Sequence, residues 1–184
     1  VTADEAFHRV ISLCAESAED RPTTWINADI EEAFLRLHQR GLAHSIEVWS
    51  SATGKAGLVG GLYGLLLRRA FFGESMFSPM TDASKIAMAW LVARLRVGQF
   101  SLLDCQFMTS HLASLGAIEV SAEDYSVLLG DALAEGGVAL SGAFSALDAL
   151  GALPEEARAP FPATFTVSGP VSGHVIAQLL THTS

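Results

Sequence analysis

Apolar residues recur at three- and four-residue steps through Ala6 to Ala15, where Phe7, Val10, Ile11 and Cys14 fall on one face, so this stretch predicts an amphipathic helix. The acidic run Glu16 to Asp20 and Pro22 end it. Asn27 then offers a cap, Asp29, Glu31 and Glu32 put negative charge in a first turn, and Phe34, Leu35 and Leu37 give an apolar stripe that Gly41 stops: a second helix. From Ala43 to Trp49 the period changes to two, as in a half-buried strand. SSATGKAG supplies a turn to LVGGLYGLLL, and Arg68-Arg69 a tight connection to AFFGESMFS, which together predict an antiparallel meander. Asp82 or Thr81 can cap a helix from Ala83 to about Arg96 with Ile86, Trp90, Leu91 and Leu95 near one face. FSLLDCQF reads as a short strand, TSHLASLG as a short helix with Gly116 as its left-handed stop, AIEV as a further strand and SAEDYSVLLGDALAEG as a helix.

This order predicts a mixed α/β (α+β) domain around a mostly antiparallel sheet flanked by helices, and among known folds it most resembles the GNAT-like acyltransferase fold. The expected division is a GNAT-like domain over residues 1–135 and a Gly/Ala/Pro-rich C-terminal extension over 136–184, packed on the same domain. Half of the 184 residues are hydrophobic, enough for one sizeable core. Cys14 and Cys105 form no ligand-spaced pattern, which suits reduced thiols and a cytoplasmic protein. The longest apolar run, Leu58 to Leu67, is interrupted by glycines and stops at Arg68, too short for a membrane span, and the acids Asp4 and Glu5 stand where a secretory signal would need basic residues. A net charge of −9 lowers the expectation of broad nucleic-acid affinity without excluding a local basic patch.

The candidate chemistry lies where acids and amides interrupt apolar runs. Glu74 within FGESMFS and Asp104 within LLDCQ need compensation if taken out of water, which costs several kcal/mol for an unpaired carboxylate. Salt bridges from Arg68, Arg69 or Lys85 to Glu74, and a helix-capping Asp104 beside a Gln106 that satisfies strand backbone, are purely structural ways to meet that need. His44 and His111 lack a third ligand at supporting spacing, so no metal set emerges, and no Ser/His/Asp arrangement appears in a nucleophile context. Alternation turns Cys105 away from Asp104 and Gln106, toward core, which argues against a cysteine nucleophile.

Trp25-Ile26, the block LHQRGLAHSIEVW, then LVGGLYG, FGESMFS, DASK, LLDCQ and HLASLGA resemble, in order and near spacing, the successive signatures of bacterial leucyl/phenylalanyl-tRNA–protein transferases from about Phe7 to Tyr125. The resemblance implies an aminoacyltransferase that moves Leu or Phe from the 3′ end of aminoacyl-tRNA to the N-terminal α-amine of proteins beginning with Arg or Lys, marking them for degradation by the N-end rule. It implies no metal, no cofactor and no membrane. Consistently, the phosphate-cradling pattern of acetyl-CoA users has no match in the chain. On the family's pattern, Gln106 hydrogen-bonds the attacking amine, Asp104 orients Gln106, and Glu74 binds the ammonium of the aminoacyl group or of the acceptor. Leu62, Phe71, Leu91 and Leu103 match positions that line the side-chain pocket, with plain core as the alternative for each. Trp25 is expected either to stack on the terminal adenine or to anchor core. The family also carries an N-terminal domain ahead of the segment matching Phe7, with a Trp-Trp-Ser-Pro stretch that this sequence does not contain, and Asp82 stands where Asn is usual. Two further readings stay open: another acyl or aminoacyl transferase on the same fold, and a non-catalytic binder of N-terminal Arg or Lys.

Overall fold

The computed structural model describes residues 1–16, 24–51, 57–134 and 142–152. The acidic run after Glu16, Pro22, the turn 52–56 and most of the C-terminal extension lie outside them. The elements are β1 (Thr2–Ala3), α1 (Phe7–Ala15), α2 (Ala28–Gln39), β2 (Ala43–Ser50), β3 (Gly57–Leu67), β4 (Ala70–Phe77), α3 (Ala83–Val97), β5 (Leu102–Asp104), α4 (Ser110–Ser114), α5 (Ala122–Ala134) and α6 (Ala146–Ala152). The strands form one five-stranded sheet in sequence order, antiparallel throughout except that β5 lies parallel to β4. This is the mixed α/β architecture expected of a GNAT-like domain. No helix among the described residues is long and apolar enough to cross a membrane.

Helices cover both faces of the sheet. On one, α1 and α2 bury Phe7, Val10, Ile11, Cys14 and Phe34 against Ala43, Tyr63 and Phe77. Asn27 caps α2 as expected, its Oδ1 accepting from the Ile30 N–H at 3.0 Å, and Gly41 closes it at φ 69°. On the other face, α3 buries Ala83, Ala87, Met88, Leu91 and Leu95 against Ile46, Val48, Leu62, Leu66 and Phe71. This differs from the expected stripe, because Ile86 is 40% exposed and Trp90 only half-buried. Alanines mark the contact instead because the helix start sits tight on the sheet: a Cβ at Gly60 would lie 2.5 Å from that of Ala83.

Three further expectations are corrected. Asp82 does not cap α3; its carboxylate meets Lys85 Nζ at 2.7 Å, and the hydroxyl of Ser78 accepts the Ser84 N–H at 3.1 Å. AIEV forms no strand, and its Ile118 is 79% exposed. β2 is covered on both faces rather than half-buried: Ser45 and Glu47 are as inaccessible as Ile46 because β1 and α1 close over them. The buried Glu47 carboxylate accepts from the hydroxyls of Thr2, at 2.6 Å, and Ser45.

The described part of the C-terminal region packs on the α3 face. Phe144 is fully buried, stacked on His44 and Phe71, while buried Arg94 donates to the Phe144 carbonyl and to the carboxylate of Asp148 in α6. A guanidinium can be this deeply buried only because most of its donors are matched.

Candidate active site

The parallel pair β4–β5 is short, Ala70–Phe72 against Leu102–Asp104. Past Asp104 the chain leaves the sheet, and a cavity of about 240 Å³ opens between Gly73–Met76 of β4 and the segment running through Cys105, Phe107 and Thr109 to α4. Leu62 of β3, Met88 and Leu91 of α3, Leu103 and Leu112 give it apolar walls, and Glu74 and His111 are its ionisable members besides Cys105 and Tyr63.

Two backbone irregularities aim the polar groups. In the β3–β4 ladder Tyr63 faces Ser75 and Gly64 faces Gly73, so Glu74 is the extra residue of a bulge that re-directs its side chain. Gln106 sits at φ 62°, and the Phe107 N–H donates to the Cys105 carbonyl at 2.7 Å, closing a γ-turn about it. A non-glycine residue persists in this region only when its surroundings hold it there, at a cost of order 1–3 kcal/mol. Asp104 does the holding: its Oδ1 accepts the Gln106 N–H at 2.7 Å and its Oδ2 accepts the Tyr125 hydroxyl at 2.7 Å. Gln106 Nε2 in turn donates to Glu74 Oε2 at 3.2 Å. With one Nε2–H given to Glu74, the amide oxygen of Gln106 is the group that can accept an incoming N–H.

The electrostatics favour a cation between these groups. Burial pushes the Glu74 carboxyl above its ordinary value, the Asp104 charge adds to this, and the Gln106 amide partly offsets it. Burial, with Asp104, also raises the Cys105 thiol, which keeps it protonated and a poor nucleophile. The hydrogen bond to Asp104 raises the Tyr125 phenol, so it stays a donor.

The raised carboxyl of Glu74 has a thermodynamic consequence. The native state binds this proton more tightly than the unfolded chain does, so Glu74 removes stability as pH rises from its ordinary value of 4.5 through the raised one. Glu74→Gln keeps an acceptor for Gln106 and is expected to raise the melting temperature at neutral pH and to flatten its decline from mildly acidic pH. A variant that melts lower at neutral pH would show the charge to be compensated.

Of the residues singled out from sequence, Glu74, Leu62, Leu91 and Leu103 line the cavity, with Asp104 and Gln106 joined to it through Glu74. Two do not. Phe71 is fully buried in core beneath Phe144, in the half of β4 that β5 still pairs, before the cavity opens. Trp25 is 53% exposed and outside the cavity lining, so it anchors no core. Sequence reasoning also missed Met76, Met88, Leu112 and Tyr125, and weighed His111 only as a metal ligand. Only Tyr125 carried a signal, a polar-tipped aromatic in the first turn of a helix whose Ser121–Asp124 cap fixes its direction. No group of three or more His, Cys, Asp or Glu side chains among the described residues is placed to hold a metal ion.

Comparison with known proteins bears on which amine and acyl group such a site would take. Residues 1–130 match the family model described as leucyl/phenylalanyl-tRNA protein transferase. A leucyl/phenylalanyl-tRNA–protein transferase of Rhizorhabdus wittichii is 56% identical over 191 residues, covering 100% of this chain and 75% of that protein. Those of Zymomonas mobilis and Paramagnetospirillum magneticum are 63% and 55% identical over 68% and 73% of the chain, which spans 45% and 63% of their lengths. With the family model matching residues 1–130 and a relative 56% identical across the whole chain, this chain belongs to the leucyl/phenylalanyl-tRNA protein transferase family.

Proposed function

We propose that this chain transfers leucine or phenylalanine from the 3′ end of aminoacyl-tRNA to the N-terminal α-amine of proteins beginning with Arg or Lys, as a cytoplasmic step of N-end-rule degradation. The observation that carries this reading is the apolar cavity of about 240 Å³ with the Glu74–Gln106 pair in its wall. That volume, just below the roughly 300–1,000 Å³ of sites for drug-sized ligands, has room for one apolar amino-acid side chain. In the reaction the amine nitrogen attacks the ester carbonyl carbon, a peptide bond forms, the bond between that carbon and the ribose oxygen breaks, and one proton passes from nitrogen to the departing ribose oxygen. Gln106 holds the amine through its amide oxygen, Asp104, itself fixed by the Tyr125 hydroxyl, holds Gln106 by its backbone N–H, and Glu74 attracts the ammonium of donor or acceptor. Trp25, exposed and free to stack, takes the terminal adenine, for on the order of 1–3 kcal/mol. Residues 1–135 form the transferase domain, and the extension from 136 braces it through Phe144 and Asp148.

Leucyl-tRNA and an Arg-initiated peptide, followed by mass, test this directly. The expected result is the gain of one leucine; binding of the peptide without mass gain would leave a non-catalytic binder. Donor choice gives a second measurement. Met88 lines the cavity and is nearly buried, so Met88→Ala is expected to weaken leucine transfer by about 1–3 kcal/mol in kcat/KM relative to a bulkier donor on the same tRNA. Equal loss for every donor would place Met88 in core alone.

A further inference from the structure

We propose that His111 contacts the donor, its Nε2–H hydrogen-bonding the ester carbonyl oxygen of the aminoacyl group seated in the cavity. The inference rests on the transfer reading above. His111 is the second residue of α4, whose first turn is fixed by Thr109, the hydroxyl accepting the Leu112 N–H at 3.1 Å. It lines the cavity with Glu74, yet its Nε2 is buried without a hydrogen-bond partner among the described residues. A ring nitrogen left unpaired in such a place costs about 1–3 kcal/mol, a cost that a bound ligand with the complementary group removes.

The identity of that group follows from what the rest of the wall offers. An aminoacyl ester brings two polar groups next to its side chain, an ammonium that donates and a carbonyl that accepts. Ionised Glu74 is only an acceptor and matches the ammonium. Gln106 Nε2 gives one of its two N–H groups to Glu74, and the Tyr63 hydroxyl, also unpartnered, goes with its ring to the opposite face of the sheet against Phe7 and Phe34. The imidazole, as the Nε2–H tautomer, is the unspent buried donor on the cavity side for the carbonyl. When the amine adds to the carbonyl carbon the oxygen gains negative charge and this bond strengthens, which is the condition for accelerating the chemical step and not merely binding. His111 keeps its proton throughout.

The test uses the full-length protein. His111→Phe retains ring volume without the donor and is expected to lower kcat for leucine transfer about tenfold, the worth of one neutral hydrogen bond, with KM little changed. His111→Gln, which restores an N–H, should recover part of the loss. Because a variant can fail to fold, the second readout is on the wild type: with ¹⁵N-labelled histidine, the Nε2 resonance of His111 should move when a non-hydrolysable leucyl-adenosine amide is added. A resonance that stays put while the analogue binds, or an unchanged kcat in a folded His111→Phe, overturns the assignment to His111 and leaves the transfer reading intact. An analogue that does not bind the wild type at all overturns the transfer reading, and this inference with it.

Discussion

Gln106→Ala is expected to lower kcat for leucine transfer on the order of 100-fold while leaving the melting temperature nearly unchanged, because the side chain is exposed and its work is placement. The backbone strain at this position is the same for Ala as for Gln, and Asp104 still holds the N–H, so the γ-turn survives the substitution. What is lost is the amide that bonds Glu74 with its nitrogen and offers its oxygen to the amine. Asp104→Asn is expected to do less, about tenfold, or 1.4 kcal/mol, because an amide oxygen can still accept from either Gln106 or Tyr125, but without the charge that made both bonds short. Tyr125→Phe, releasing one of the two oxygens, should fall between Asp104→Asn and wild type. Steady-state kcat and KM for the three variants check the order, and full turnover in both Gln106→Ala and Asp104→Asn would remove this segment from the chemistry.

That chain of bonds also marks how far the sequence alone reaches. Local signals were legible: the 3.6-residue stripe of Phe7, Val10, Ile11 and Cys14, the Asn27 cap, the left-handed stops at Gly41 and Gly116, and the two-residue period of the meander. Each depends on neighbours within a turn or a hairpin. The site depends on features of another kind. That Glu74 is bulged is a property of the pairing between β3 and β4, and nothing in FGESMFS alone distinguishes a bulge from regular alternation. Asp104 and Gln106 look like same-face strand residues, yet the strand stops at Asp104 and Gln106 turns left-handed, held by a carboxylate whose other oxygen is claimed by Tyr125 on a later helix. The family resemblance identified these residues without explaining their placement. Likewise β2 reads as half-buried because alternation reports polarity, not cover; Glu47 is buried by β1 and satisfied by two hydroxyls, which only the assembled fold supplies.

Phe71→Ala is expected to destabilise the protein by about 3–5 kcal/mol and to leave donor choice unchanged, the reverse of what a pocket-lining residue would do. The ring is fully buried and stacks on Phe144 with centroids 5.8 Å apart; Phe144 in turn stacks on His44 at 4.2 Å and lies under the Arg94 guanidinium at 5.4 Å. Removing Phe71 therefore opens a void under the residue that seats the C-terminal segment, and it loosens the surroundings of a buried cation whose remaining partners are the Phe144 carbonyl and Asp148. Nothing near can refill the space cheaply: the neighbouring strand carries Gly64 beside the ring, where even a Cβ would lie 2.5 Å from Phe71 Cε1, so the sheet is already as close as the ring allows. Denaturant unfolding should show a lower midpoint at unchanged slope, since the surface exposed on unfolding is nearly the same. Leucine, phenylalanine and tryptophan transfer, compared at a temperature where the variant is folded, should fall together or not at all. A Phe71→Ala protein of wild-type stability that takes tryptophan more readily would put the ring in the cavity wall, whereas Met88→Ala, at a residue that lines the cavity, is the substitution expected to produce that shift.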